Sequence, residues 1–156
     1  MKKVMFISSC GGHLAEMLRL NKMFNTYDYH IITEKTNTTN FLTEKYEGKV
    51  NYLVYGTKDY IFTYPFKLVI NCFKSLYFYL KIRPDYIIST GAHTAGPMCL
   101  IGKIFGTKVI YIETFANLKS KTITGKLLYP FADLFIVQWS SMQKLYKKSV
   151  FGGWIY

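Results

Sequence analysis

Short apolar runs recur along the chain, separated by longer stretches whose apolar residues fall at helical spacing. The runs are Val4–Ile7, Tyr29–Ile32, Val50–Val54, Tyr86–Ile88, Val109–Ile112 and Leu134–Val137. Most are continuous rather than alternating, the pattern of parallel strands covered on both faces. Between them, Leu14, Met17, Leu18 and Phe24 recur near helical spacing, as do Ile101, Ile104 and Phe105. Strand followed by helix, repeated along the chain, predicts an α/β fold: a Rossmann-like parallel sheet sandwiched by helices. No fixed-length repeat, low-complexity segment or linker interrupts this order, so residues 1–156 are expected to form a single domain.

The stretch Ile61–Lys81 is bulkier and more apolar than the other helical stretches. A membrane-spanning helix needs about 20 mostly apolar residues, and Pro65, Lys67, Asn71 and Lys74 count against one. Lys67, Lys74 and Lys81 are seven apart and lie near one helical stripe. Two readings stand: a core crossover helix with a solvated lysine edge, or a helix resting on acidic lipid. In the second, Lys67, Lys74, Lys81 and the neighbouring Phe73 and Tyr77 form the contact.

Composition sharpens the question of partners. Twenty Lys and Arg against nine Asp and Glu give +11 in a chain of 156 residues, which points to an anionic partner. Half the residues are hydrophobic, with 14 Tyr and 12 Phe, which excludes a wholly disordered chain. Basic and aromatic character together suit a membrane interface as well as RNA. No nucleic-acid recognition motif is present and only Arg19 and Arg83 are arginines, so no nucleic-acid partner is expected. Cys10, Cys72 and Cys99 form no paired motif, which fits a reducing compartment. Lys2-Lys3 before Val4–Ile7 superficially resembles a signal peptide, but an apolar centre of about four residues is too short for one.

In open parallel α/β sheets, ligands sit beyond the carboxyl ends of the strands. After the first run comes Ser8-Ser9-Cys10-Gly11-Gly12-His13, opening a helix. Glycines allow a tight turn and close backbone approach, and a helix start offers free N–H groups to phosphate. A plain turn with a capping histidine is the competing reading. After the fourth run a second small-residue loop carries another histidine: Gly91-Ala92-His93-Thr94-Ala95-Gly96-Pro97. After the fifth comes Glu113, a strand-end carboxylate suited to a sugar hydroxyl, a proton transfer or a lysine. Ser120 or Thr122 is expected to cap the next helix. Neither the dinucleotide fingerprint nor the P-loop is present, nor Asp-x-Asp, HExxH or a Cys/His cluster; no metal and no cofactor is expected. His30 lies in a strand and reads as structural.

Several of these stretches together resemble a known family. They are Phe6–Leu14, Arg83–His93, Tyr111–Ala116, Phe135–Trp139 and Phe151-Gly152-Gly153, in that order and over essentially the whole chain. They are similar to the accessory subunit of split GT-B glycosyltransferases. That family includes the membrane-recruiting subunit of the dolichol-linked GlcNAc transferase and PssD- and EpsE-type proteins of bacterial capsule and exopolysaccharide synthesis. A more distant resemblance is to the N-terminal half of MurG.

The resemblance implies the acceptor-side half of a GT-B enzyme, whose nucleotide-sugar-binding catalytic subunit is a separate chain. The pair would transfer a sugar from a UDP-sugar to a lipid-pyrophosphate-linked acceptor at the cytoplasmic face of the membrane. Gly11 and Gly12 would hold the pyrophosphate. His13 would be the first candidate for general base and Glu113 the second, with Gly91, Ala92, His93 and Thr94 lining the cleft. Eukaryotic relatives carry an N-terminal membrane helix; here attachment is expected to be peripheral. The apolar end, Phe151, Trp154, Ile155 and Tyr156, would either pack back on the sheet or dock the catalytic subunit. The rival reading is a non-enzymatic scaffold that recruits the catalytic subunit to the membrane.

Overall fold

The computed structural model describes residues 1–56 and 62–155. Seven parallel strands form one sheet in the order β3-β2-β1-β4-β5-β6-β7. They are β1 Lys3–Ser8, β2 Asp28–Lys35, β3 Val50–Val54, β4 Tyr86–Gly91, β5 Lys108–Ile112, β6 Leu134–Val137 and β7 Val150–Phe151. The first six grow from the six apolar runs. The seventh, two residues long and exposed, extends the sheet edge through Ile136↔Val150 and Val137↔Phe151. Strand order reverses between β1 and β4, so the loops after these strands meet at the topological switch point, where such sheets bind ligands.

Side chains alternate across the strands into two cores. Met5, Ile7, Ile87 and Tyr111 pack under α3 (Tyr64–Ile82), α4 (Gly96–Ile104), α5 (Ile123–Leu128) and α6 (Ser140–Gln143). Val4, Phe6, Ile31 and Ile88 face α1 (Gly12–Leu18), the 3-10 turns that continue it over Arg19–Asn25, and α2 (Phe41–Lys45). Pro97 stands in the first turn of α4, where its missing N–H costs nothing. Thr122 caps α5, its hydroxyl accepting from Gly125 N–H at 2.9 Å.

Helix α3 has one face buried against the sheet and an opposite face that is apolar and exposed. Asn71, Ser75, Phe78, Tyr79 and Ile82 are buried. Asn71 pairs with both Val54 N–H and Val54 C=O at 2.8 Å, satisfying the backbone of the edge strand β3. On the opposite face Phe66, Val69, Phe73, Tyr77 and Leu80 are exposed, Phe73 at 70% and Tyr77 at 60%, and Phe62 extends the stripe. Lys67 and Lys74 are half-buried along its flank and Lys81 is exposed. Burial pushes the Lys74 ammonium pKa down, with Lys35 adding to it, and its Nζ lies 5.9 Å from the Phe78 ring centre. Among the described residues no helix is long and apolar enough to cross a membrane. Ile61 lies outside them.

Candidate functional site

The two glycine–histidine loops are stitched together at the switch point. Ser9 N–H donates to Gly91 C=O at 2.9 Å, and Ala92 N–H donates to Ser9 Oγ at 3.3 Å. His13 and Thr90 bond reciprocally: Thr90 Oγ1 donates to His13 C=O at 2.8 Å, and His13 Nδ1 lies 2.7 Å from Thr90 C=O. A carbonyl only accepts, so Nδ1 carries the proton and Nε2 of the neutral ring keeps its lone pair. Gly91 makes this approach possible. Its φ is +98°, and a Cβ there would stand 3.2 Å from the His13 ring and from the Tyr111 hydroxyl. Gly11, with φ +79°, turns the chain into α1; a Cβ on Gly11 or Gly12 would meet nothing within 4 Å, so this loop is open to a ligand.

A cavity of about 350 Å³ opens at this junction, lined by His13, Ala92, His93, Tyr111, Lys121 and Thr122–Thr124. It unites residues from three loops singled out in the sequence and adds Lys121. The Lys121 ammonium lies 5.0 Å and 5.8 Å from the ring centres of Tyr146 and Tyr129. His93 donates from Nε2 to Gly56 C=O at 2.9 Å and meets the edge of Tyr64. By the same tautomer argument, its Nδ1 keeps the lone pair.

Two expected residues stand behind the cavity rather than in it. Thr94, expected to line the cleft, is buried, and its hydroxyl donates to Glu34 Oε1 at 2.7 Å. Glu113 is 1% exposed. Its carboxylate accepts from Tyr146 OH at 2.8 Å, Thr122 Oγ1 at 3.0 Å and Thr114 N–H at 3.1 Å. A Cβ on Gly125 would run into Glu113 Oε2, so glycine lets α5 close over the carboxylate. Burial, then the charge of Glu113, pushes the Tyr111 phenol far up; burial and the Glu113 hydrogen bond do the same for Tyr146. Glu113 thereby fixes the loop that presents Lys121 and Thr122.

Two other acids were not singled out from the sequence. Glu34, at the end of β2, is buried and accepts from Cys10 N–H (3.1 Å), Thr94 Oγ1 (2.7 Å) and Gly56 N–H (3.3 Å), tying three ligand-edge loops together. It carries the same signal as Glu113, an acid closing an apolar strand run. Burial, then its contact with Glu34, pushes the Cys10 thiol up to about 11, so the thiol keeps its proton at neutral pH. Glu16, one turn after His13, accepts at Oε1 from Thr114 Oγ1 (2.8 Å) and Phe115 N–H (3.1 Å). Its Oε2 lies 3.9 Å from His13 Nδ1.

The chain end packs partly back on the sheet. Gly152 N–H donates to Val137 C=O at 2.9 Å, and Ile155 joins the α1-side core. Trp154 meets Phe115 edge-on at 5.4 Å and is 73% exposed; Phe151 is 48% exposed. Tyr156 lies outside the described residues. His30, in β2, lies 3.9 Å from Asp28, away from both loops.

The sheet order and its loop cluster define a Rossmann-like unit matching the N-terminal half of a GT-B glycosyltransferase. MurG of Acinetobacter baumannii superposes with a TM-score of 0.70 at 18% identity, over 90% of this chain and 43% of that one. The UDP-GlcNAc 2-epimerase of Methanocaldococcus jannaschii superposes with a TM-score of 0.69 at 15% identity, over 92% and 41%. The chain therefore spans less than half of either protein. Residues 4–155 match the family profile described as "Oligosaccharide biosynthesis protein Alg14 like", and the chain belongs to that family. Relatives include the UDP-N-acetylglucosamine transferase subunits ALG14 of Mus musculus and Debaryomyces hansenii. The first is 26% identical, covering 97% of this chain and 82% of its own. The second is 30% identical, covering 96% and 75%.

Proposed function

We propose that this chain is the acceptor-side subunit of a two-component glycosyltransferase. It carries a sugar from a UDP-sugar to a lipid-pyrophosphate-linked acceptor, with the nucleotide sugar bound by a separate catalytic subunit. One observation carries the reading: His13, held through Nδ1 by Thr90 with its lone pair left on Nε2, lines a cavity that His93 and Lys121 also line. The match of residues 4–155 to the Alg14-like family, whose relatives are named as transferase subunits, supports a partner chain.

In this mechanism the pyrophosphate lies along the open Gly11-Gly12 loop and against Lys121, whose charge opposes its own. His13 Nε2 takes the proton of the acceptor hydroxyl as that oxygen bonds to the donor's anomeric carbon. The anomeric C–O bond to UDP breaks, and UDP leaves with the bonding pair. General-base assistance of this kind contributes about 10²- to 10⁴-fold. Gly91, Ala92 and His93 shape the cavity wall, while Thr94 and Glu113 position the loops. The exposed face of α3, with Phe73, Tyr77 and the Lys67, Lys74 and Lys81 flank, seats the chain on the cytoplasmic face of the membrane. Phe151, Trp154 and Ile155 meet the catalytic subunit.

The finer setting proposed is bacterial capsule or exopolysaccharide synthesis. The relatives named above are animal and fungal and support the transferase class rather than this setting; comparing undecaprenyl with dolichyl pyrophosphate acceptors tests it. The apolar face of α3 favours a second reading, a tether without catalytic residues. Membranes bearing acceptor, given labelled UDP-sugars with this chain, its catalytic partner, both, or the partner with the His13→Ala chain, separate the two. Product only with both, and lost with His13→Ala, supports the split transferase. Equal product from the partner alone contradicts it.

A further inference from the structure

A second cavity, of about 390 Å³, lies one helical turn from His13 and has no part in the steps above. Ala15, Glu16, Arg19, Phe115, Gln138 and Trp154 line it. Phe115 and Trp154 form a right-angled aromatic corner, at 88° between ring planes, and Trp139 backs Phe115 at 4.7 Å. The corner is held: Trp139 Nε1–H donates to Phe115 C=O at 2.8 Å, and Phe115 N–H donates to Glu16.

The polar wall has unused capacity. Glu16 Oε2 is buried with no hydrogen-bond partner among the described residues. A carboxylate oxygen in that position calls for a donor. Gln138, itself buried, gives one N–H to Glu113 C=O and accepts one from Ile155 N–H, leaving one N–H and one lone pair. Arg19 makes no ion pair with a carboxylate among the described residues.

An apolar corner beside a carboxylate, an amide and a guanidinium matches the two-sided chemistry of a pyranose. One sugar face presents C–H groups to aromatic rings, and the rim presents hydroxyls that both donate and accept. A bare phosphate would meet Arg19 but also the Glu16 carboxylate, and would gain nothing from the rings. We propose that this cavity binds the hexose ring of the acceptor, with Glu16 Oε2 accepting from a ring hydroxyl and Phe115 and Trp154 packing against the ring. The inference rests on the acceptor-side reading and extends it. Glu16 Oε2 lies 3.9 Å from His13 Nδ1, so a sugar held at Glu16 keeps its reacting hydroxyl beside the His13 ring while its pyrophosphate extends into the His13–His93–Lys121 cavity.

The chain carries its own reporter, since its two tryptophans, Trp139 and Trp154, both belong to this aromatic cluster. The experiment titrates the full chain in detergent with phytanyl pyrophosphate, with the same lipid bearing N-acetylglucosamine, glucose or galactose, and with UDP, following tryptophan emission. At least one sugar-bearing lipid is expected to bind about tenfold more tightly than the sugarless one and to shift the emission. UDP is expected to leave the emission unchanged. Glu16→Gln is expected to remove the tenfold preference while sugarless binding persists. Trp154→Leu, at an exposed position, is expected to weaken sugar binding without altering thermal unfolding. Equal binding and equal emission changes for all the lipids overturn the assignment, as does a UDP-induced shift that the sugar lipids do not compete away. A titration that discriminates the sugar while the reconstituted pair makes no product supports this site and removes the transferase reading. Equal binding alongside active transfer overturns this site alone.

Discussion

The carbonyl of Thr90 sets the tautomer of His13, because it holds the proton on Nδ1 and leaves the lone pair on Nε2 of a ring that lines the cavity. His13→Ala is therefore expected to lower transfer by the reconstituted pair by about 10²-fold or more. Its thermal midpoint should stay within a few degrees of wild type, since the side chain is not part of either core. Gly91→Ala is expected to do both kinds of damage. It forces an L side chain to φ +98° and brings Cβ against the His13 ring, so it should cost about 1–3 kcal/mol in urea unfolding as well as activity.

At the same scale, Tyr146→Phe deletes a donor to the buried Glu113 carboxylate and should cost about 1–3 kcal/mol. Burial and the Glu113 carboxylate raise the phenol pKa values of Tyr111 and Tyr146 above their ordinary value of 10.0 in the folded chain. The unfolded chain releases those protons near that pH while the folded chain holds them. The associated stability is thus complete below about pH 10 and falls as pH rises above it. Urea midpoints measured between about pH 8 and about pH 11 should show this decline, and Tyr146→Phe should make it shallower. Glu113 itself was visible as a strand-end acid, but its partners come from loops 9 to 33 residues away and depend on how α5 and α6 fold back. Spacing along the chain carries no record of that approach. Glu16 was hidden for the same reason, with Thr114 and Phe115 about a hundred positions downstream.

Among the elements, the six longer strands were legible because each is a continuous apolar run in a doubly covered sheet. β7 was not: Val150–Phe151 is an exposed edge pair with no period to detect. Helix α3 shows how far a one-dimensional pattern reaches. The lysine heptad lies along a flank of the helix, and the bare apolar stripe opposite the core appears only once Asn71, Ser75, Phe78 and Ile82 are seen against the sheet. Replacing Phe66, Phe73 and Tyr77 together with Ser should leave thermal stability unchanged or slightly higher, because all three are exposed in the chain alone. Sedimentation with vesicles containing anionic lipid should show about tenfold or greater loss of binding. Wild-type binding should also weaken with salt, by the lysine contribution of about 1 kcal/mol per residue near the surface. Unchanged vesicle binding by the triple variant would take the membrane away from α3.

Glu34 acts between elements. Glu34→Gln keeps the shape but turns an N–H donor toward Cys10 N–H or Thr94 Oγ1. Amide exchange in the loops after β1, β3 and β4 should accelerate together, with a stability cost of about 1–3 kcal/mol.

At the scale of the whole molecule, two cavities lined by neighbouring residues of α1, His13 and Glu16, share the chain with an apolar helix face and an exposed chain end. All lie on a unit that covers 43% of a MurG chain. The proposed division of labour gives this chain the lipid acceptor and the base, and another chain the nucleotide sugar. The most direct test is single-turnover transfer by the reconstituted pair, with wild-type chain and His13→Ala assayed side by side on the same acceptor membranes. The expected result is product from the wild-type pair and a loss of about 10²-fold or more with His13→Ala, at unchanged complex formation. Full transfer by the His13→Ala pair would contradict the account and leave the chain as a tether.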